Sequence, residues 1–130
     1  MIVVDASAAV EWLLQSSEGT RVAERLFSGA QALHAPHLLD VEVTQALRGA
    51  VISGMLSLSR ASEALQDYLD LPITRHPHEV HLRRVWELRE NLGAYDASYV
   101  ALAESLDATL VTCDAKIQAA SGHNARVEVV

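Results

Sequence analysis

The sequence predicts an α/β fold, a central, mostly parallel sheet flanked by helices, from three observations. Ile2-Val3-Val4 and Thr109-Leu110-Val111-Thr112 are short apolar runs without polar alternation, the pattern of strands buried on both faces. Longer segments with helical spacing alternate with such runs, as in βαβ units. Half of the 130 residues are hydrophobic, enough for one core, so residues 1–130 are expected to form a single domain.

Ile2-Val3-Val4 ends at Asp5, and Ser7 opens a helical run through Leu14. Ser16-Ser17-Glu18-Gly19 breaks the chain before a second helix with Val22, Leu26 and Phe27 inward; Ser28-Gly29 closes it. Ala32-Leu33-His34-Ala35 is a short strand stopped by Pro36. Leu39, Val43, Ala46, Leu47 and Ala50 then recur at helical intervals, with Glu42 at the edge of the buried face and Gly54 as the end. Ser57 leads into a helix through Ala61, Leu65 and Leu69. Leu71-Pro72-Ile73-Thr74-Arg75 reads as a strand that Pro72 confines to short length or a sheet edge. Pro77 suits the first turn of a helix carrying His81, Val85, Leu88 and Leu92 on one stripe.

The helix after Gly93 places Tyr95, Tyr99, Leu102 and Leu106 on one apolar face and Asp96, Val100 and Ala103 on its flank. Ser98, Ala101 and Glu104 or Ser105 are left for water. After Thr109–Thr112, Ile117 and Ala120 mark a short helix, and Arg126-Val127-Glu128-Val129-Val130 alternates as a final strand.

Composition narrows the function. The net charge is −7, with Lys116 the only lysine, which argues against coating nucleic acid through a broad basic surface. It leaves room for an enzyme that meets phosphate through a metal. No window resembles a membrane span, and the N-terminus has neither the basic region nor the long apolar stretch of a signal peptide. The single cysteine, Cys113, cannot form an internal disulfide, so the cytoplasm is the expected compartment. Dinucleotide, P-loop and nucleophile-elbow motifs are absent. His76, His78 and His81 lack the cysteine pattern of a zinc site and read as polar residues of a first helical turn. Cys113 reads as a small packed residue, and Trp12 and Trp86 as core or interface anchors.

The acids carry the chemistry. Asp5 and Asp114 each follow an apolar strand and precede a helix, at the sheet edge where open parallel sheets bind ligands. Asp96, in the first turn of its helix, comes to the same edge, and Glu42 reaches in from the side. Singly, each acid also suits a bland role: a helix cap for Asp5 and Asp114, first-turn stabilisation for Asp96, a solvated flank for Glu42. Together, converging carboxylates repel one another and call for a counter-ion. Oxygen-only ligands suit Mg²⁺ or Mn²⁺, and such a site hydrolyses phosphodiesters. Ser7 and Thr112, each two residues from an acid, are placed to orient those carboxylates.

Asp5-Ala6-Ser7, Glu42, the stretch Tyr95-Asp96-Ala97-Ser98-Tyr99-Val100-Ala101-Leu102-Ala103, and Leu110-Val111-Thr112-Cys113-Asp114 resemble, in order and spacing, the PIN-domain ribonucleases, and within them the VapC-type toxins of bacterial toxin–antitoxin pairs. The resemblance implies a three-layer PIN-like fold and a Mg²⁺-dependent endoribonuclease (Mn²⁺ an alternative) that cuts tRNA, rRNA or mRNA. It implies Asp5, Glu42, Asp96 and Asp114 as catalytic acids, with Asp5, Asp96 and Asp114 holding the metal and Ser7 and Thr112 in support. It further implies a homodimer silenced by an antitoxin whose basic tail enters the acidic groove. Many members carry another Asp two positions after the last acid; here that position is Lys116, which removes a ligand for a second ion and offers an ammonium to RNA phosphate. Arg48, Arg75, Arg83 and Arg84 are the arginines considered for RNA contact. The contrasting expectation is a catalytically silent PIN-like module that binds RNA or protein.

Overall fold

A computed structural model describes residues 1–130. Its elements, in order, are β1 (Ile2–Val4), α1 (Ala6–Leu13), α2 (Ser17–Phe27), β2 (Leu33–Pro36), α3 (Leu38–Ile52), α4 (Leu58–Leu69), β3 (Ile73–His76), a 3₁₀ turn (Glu79–His81), α5 (Leu82–Glu87), α6 (Ala94–Leu106), β4 (Thr109–Thr112), α7 (Ala115–Ala119) and β5 (Arg126–Val129). The sheet order is β3-β2-β1-β4-β5, and every pairing is parallel. The mostly parallel sheet expected is therefore parallel throughout. Ile2, Val3 and Val4 point alternately to the two faces, yet none is more than 1% exposed, so helices cover both sides. β3 is an edge strand, entered directly after Pro72 as that residue requires.

The chain lays β2 and β3 to one side of β1 and then crosses back to place β4 on the other. The strand order thus reverses between β1 and β4, and the crevice at their carboxyl ends is the natural ligand site of such a sheet. α1 and α2 hold their positions by close approach: a Cβ on Gly19 would fall 2.2 Å from the Glu11 carbonyl oxygen, so only glycine allows this crossing. The side chain of Ser16 caps α2 by accepting from Gly19 N at 3.0 Å. A bifurcated bond from Arg25 Nε to both carboxylate oxygens of Glu128, 2.7 and 2.9 Å, ties α2 to edge strand β5.

Two local expectations are corrected. The helix predicted after Pro77 is a 3₁₀ turn and a six-residue α5. Leu88 and Leu92 still reach the core, because Leu92 N and Asn91 N both bond to the Leu88 carbonyl in the turn that follows. In α6 the simple apolar face fails. Tyr95 is 71% exposed, whereas Ser98 and Ala101 are buried. The helix lies across β1, β2 and β4 and against α5, so every residue from Ala97 to Ala103 is covered. Ser98 satisfies its hydroxyl by donating to the Tyr95 carbonyl at 2.6 Å.

Candidate active site at the strand crossover

Asp5 occupies the cap position of α1, yet its side chain makes no capping bond. Instead Oδ2 accepts from Ser7 Oγ at 2.6 Å and from Thr112 Oγ1 at 2.7 Å. Each hydroxyl has one proton, and both are given to Asp5, so the 3.1 Å approach of the two hydroxyl oxygens carries no further proton. Ser7 Oγ in turn accepts from Cys113 N, and Thr112 Oγ1 from Asp114 N, both at 2.9 Å. Two backbone N–H dipoles of the β4–α7 turn are thereby relayed onto one carboxylate oxygen. Ser7 donates to Asp5, two residues away, whereas Thr112, expected to serve its neighbour Asp114, donates across the strand crossover to Asp5. No buried side-chain oxygen lacks a partner, so Asp5 Oδ1, which accepts nothing from protein, reaches solvent.

Asp114 does cap its helix: Oδ1 accepts from Lys116 N at 2.9 Å. The cap fixes one oxygen of this carboxylate at the start of α7. Asp96 sits in the first turn of α6 behind Gly93, as the sequence predicted. Burial first, then repulsion from Asp5 and Asp114, pushes its carboxyl above the usual range, while Lys116 works the other way. Glu42 on α3 is also pushed up, by burial and by Asp5 and Asp96, against the lowering effect of the Tyr99 hydroxyl. These mutual influences bring all four predicted acids into one electrostatic neighbourhood. The Tyr99 hydroxyl donates to Glu42 Oε1 at 2.6 Å, a contact the sequence reading missed by treating Tyr99 as an apolar-face residue only. The available signal was the phenol itself, since a buried Tyr hydroxyl demands an acceptor.

The donor set is oxygen-only, suiting a hard cation. No three His, Cys, Asp or Glu side chains stand close enough to enclose an ion by themselves. Mg²⁺ ordinarily binds through one or two carboxylates and keeps several waters, so these residues fit an ion held partly through water.

The arginines divide. Arg75 donates to both oxygens of Asp40 at 2.8 and 3.0 Å, where Tyr68 also donates at 2.6 Å. Arg84 grips Glu104 through Nε and Nη2 at 2.8 and 2.9 Å. Both are engaged in intramolecular ion pairs and remain about a third exposed; Arg48 and Arg83 are exposed and outside every ion pair. The histidines form no metal site: His34 Nδ1 lies 2.8 Å from His76 Nε2, and His78 Nε2 accepts from Leu38 N at 3.2 Å. Cys113 is half-buried, and burial raises its thiol above the usual range, in keeping with a packed residue. Trp86 is 68% exposed, with Arg89 stacked 4.8 Å from its ring centre.

Comparison with known proteins agrees with this geometry. Residues 2–122 match the family model described as PIN domain. A Mycobacterium tuberculosis protein named Ribonuclease VapC12 is 42% identical over 130 residues, covering 100% of this chain and 99% of its own. A crystal structure from Pyrobaculum aerophilum superposes with TM-score 0.72 at 27% identity, over 98% of this chain and 83% of that one. The Rickettsia felis VapBC2 structure, bound to a DNA fragment from their promoter, shares the fold at TM-score 0.70 and 15% identity, covering 99% and 98% of the two chains. The chain belongs to the PIN-domain family and, within it, to the VapC-type ribonucleases. Its class is that of endoribonucleases, hydrolases of phosphodiester bonds.

Proposed function

We propose that this chain is a Mg²⁺-dependent endoribonuclease toxin, a single PIN domain that cleaves a cellular RNA (tRNA, rRNA or mRNA) in the cytoplasm and is held in check by a cognate antitoxin. The observation that carries this is the meeting of Asp5, Glu42, Asp96 and Asp114 at the β1/β4 crossover with neutral hydroxyls and no arginine among them. Asp5, Asp96 and Asp114 would hold the ion, partly through water, and Glu42 would complete the site directly or through water. When bound, the ion supplies Lewis-acid polarisation of the phosphate and a water of lowered pKa. Ser7 and Thr112 hold Asp5 aimed through their bonds to its Oδ2. Hydrolysis joins a water oxygen to the scissile phosphorus and releases the ribose oxygen on the other side.

Lys116, exposed and within electrostatic reach of Asp96, meets an RNA phosphate, with Arg48 and Arg83 as the remaining uncommitted cations. The acidic crevice suits the basic tail of an antitoxin. Val41, Leu82 and Tyr95 stay exposed around Leu38 beside the acids, apolar surface of the kind a second copy in a homodimer covers.

The test is to map new 5′ ends in total cellular RNA treated with the purified protein, with Mg²⁺, with Mn²⁺ and with chelator. Discrete sites that appear only with a divalent ion are expected. Absence of cleavage together with a melting temperature indifferent to millimolar Mg²⁺ and Mn²⁺ would leave a silent binding module instead.

A further inference from the structure

Tyr99 lies one turn beyond Asp96 on α6, and its side chain is 1% exposed. Its ring is fixed by the core, so its hydroxyl has one direction open to it. That direction is Glu42 Oε1 on α3, 2.6 Å away and 57 residues distant in sequence. Glu42 makes no ion pair, and its Oε2 accepts no hydrogen bond while remaining accessible. One helix therefore supplies Asp96 directly and fixes a second acid through a phenol. A glutamate on a free helix flank samples several rotamers; this one is tethered at one oxygen.

We propose that Tyr99 is a positioning residue for Glu42: by pinning Oε1 it selects the rotamer that leaves Oε2 as the working atom at the cation site. This deepens the nuclease reading and rests on it. The competing explanation is purely structural, since a buried hydroxyl needs some acceptor and Glu42 is the one at hand. The two differ in what removal of the hydroxyl does to the ion.

The experiment titrates Mn²⁺ into RNA-free protein by calorimetry and measures RNA cleavage at saturating ion. Tyr99→Phe is expected to weaken Mn²⁺ binding about ten- to a hundredfold, the usual effect of losing a partner that orients a metal ligand. It should lower kcat while leaving KM for RNA in place. In a Glu42→Ala background the same change should leave Mn²⁺ affinity where Glu42→Ala alone puts it. Wild-type affinity in Tyr99→Phe overturns the proposal, and so does an equal loss in both backgrounds, which marks a structural hydroxyl. Should Tyr99→Phe fail to fold, a crystal structure of the wild-type protein soaked in Mn²⁺ carries the test: Oε1 still bonded to the Tyr99 hydroxyl with Oε2 directed at the ion supports the role, and an ion met through Oε1 or without Glu42 overturns it. Asp5→Asn is the control for the underlying reading. Undiminished cleavage in that variant counts against the nuclease site itself, whereas an inactive Asp5→Asn beside an unaffected Tyr99→Phe counts against the positioning role alone.

Discussion

Two groups of half-buried or buried acids in this molecule are treated in opposite ways. Glu104 and Asp40 each receive a guanidinium, Arg84 as a two-bonded fork and Arg75 through one Nε–H shared between both oxygens. Asp5 and Glu42 receive only hydroxyls, and Asp96 receives no close partner at all. Charge-assisted forks are among the strongest polar contacts a protein makes, and arginine was available to the fold. The Glu104 carboxyl accordingly sits below the usual range, held there first by Arg84, while Glu42 and Asp96 sit above it. The first group serves the fold. The second is left electrostatically unsatisfied, and that unsatisfied charge is what the proposed cation would neutralise.

The largest expected effect comes from neutralising the unpaired group. Asp5→Asn or Asp96→Asn should reduce RNA cleavage by at least about a hundredfold, with no fall in metal-free melting temperature, because each change removes repulsion. A lowered melting temperature with retained cleavage would reverse the comparison. Next, Arg84→Ala should cost about 1.5–3 kcal/mol of stability through lost charged hydrogen bonds, read by urea unfolding, with cleavage per folded molecule unchanged.

Third, the two groups should titrate with opposite sign in metal-free protein. Glu42 and Asp96, raised in the fold, bind more protons folded than unfolded, so they add stability as the pH falls and withdraw it as the pH rises from their ordinary values of 4.5 and 3.8 through their raised ones. Glu104, lowered in the fold, contributes stability above its ordinary 4.5 that is lost as the pH falls through its depressed value. Melting curves between about pH 3 and 7 for wild type, Asp96→Asn and Glu104→Gln should separate the two slopes; an unchanged profile in Asp96→Asn would count against the repulsion assigned to that acid. The smallest effect is expected for Lys116→Ala, an exposed cation: weaker RNA binding across all sequences and a salt dependence shallower by about one unit of slope.

Much of this was readable in the residues. Strands β1 and β4 declare themselves as unbroken apolar runs, and the acids at their ends follow from where such strands stop. Pro72 announced an edge. What escaped was what depends on contacts between segments distant in sequence. Tyr95 and Ser98 exchanged their expected exposure because α6 is covered on more than one side, and helical periodicity assumes one dry face. Thr112 looked like a partner for Asp114, two residues away, because only sequence distance was visible; strand pairing of Val4 with Val111 brings it to Asp5 instead. The roles of Arg75 and Arg84 were unreadable for the same reason, their carboxylates being 35 and 20 residues away.

The bond from Thr112 to Asp5 joins residues 107 positions apart. During synthesis β1 waits for β4, one of its two neighbours, until residues 109–112 have been made. Pairings this remote close late and slowly. An emerging chain can gather α1 to α4 around β2 and β3 while its first acid remains unsupported. The crevice is thereby assembled only after β4 has been made, and a truncated product ending before Thr109 would carry Asp5, Glu42 and Asp96 without the strand that supports Asp5.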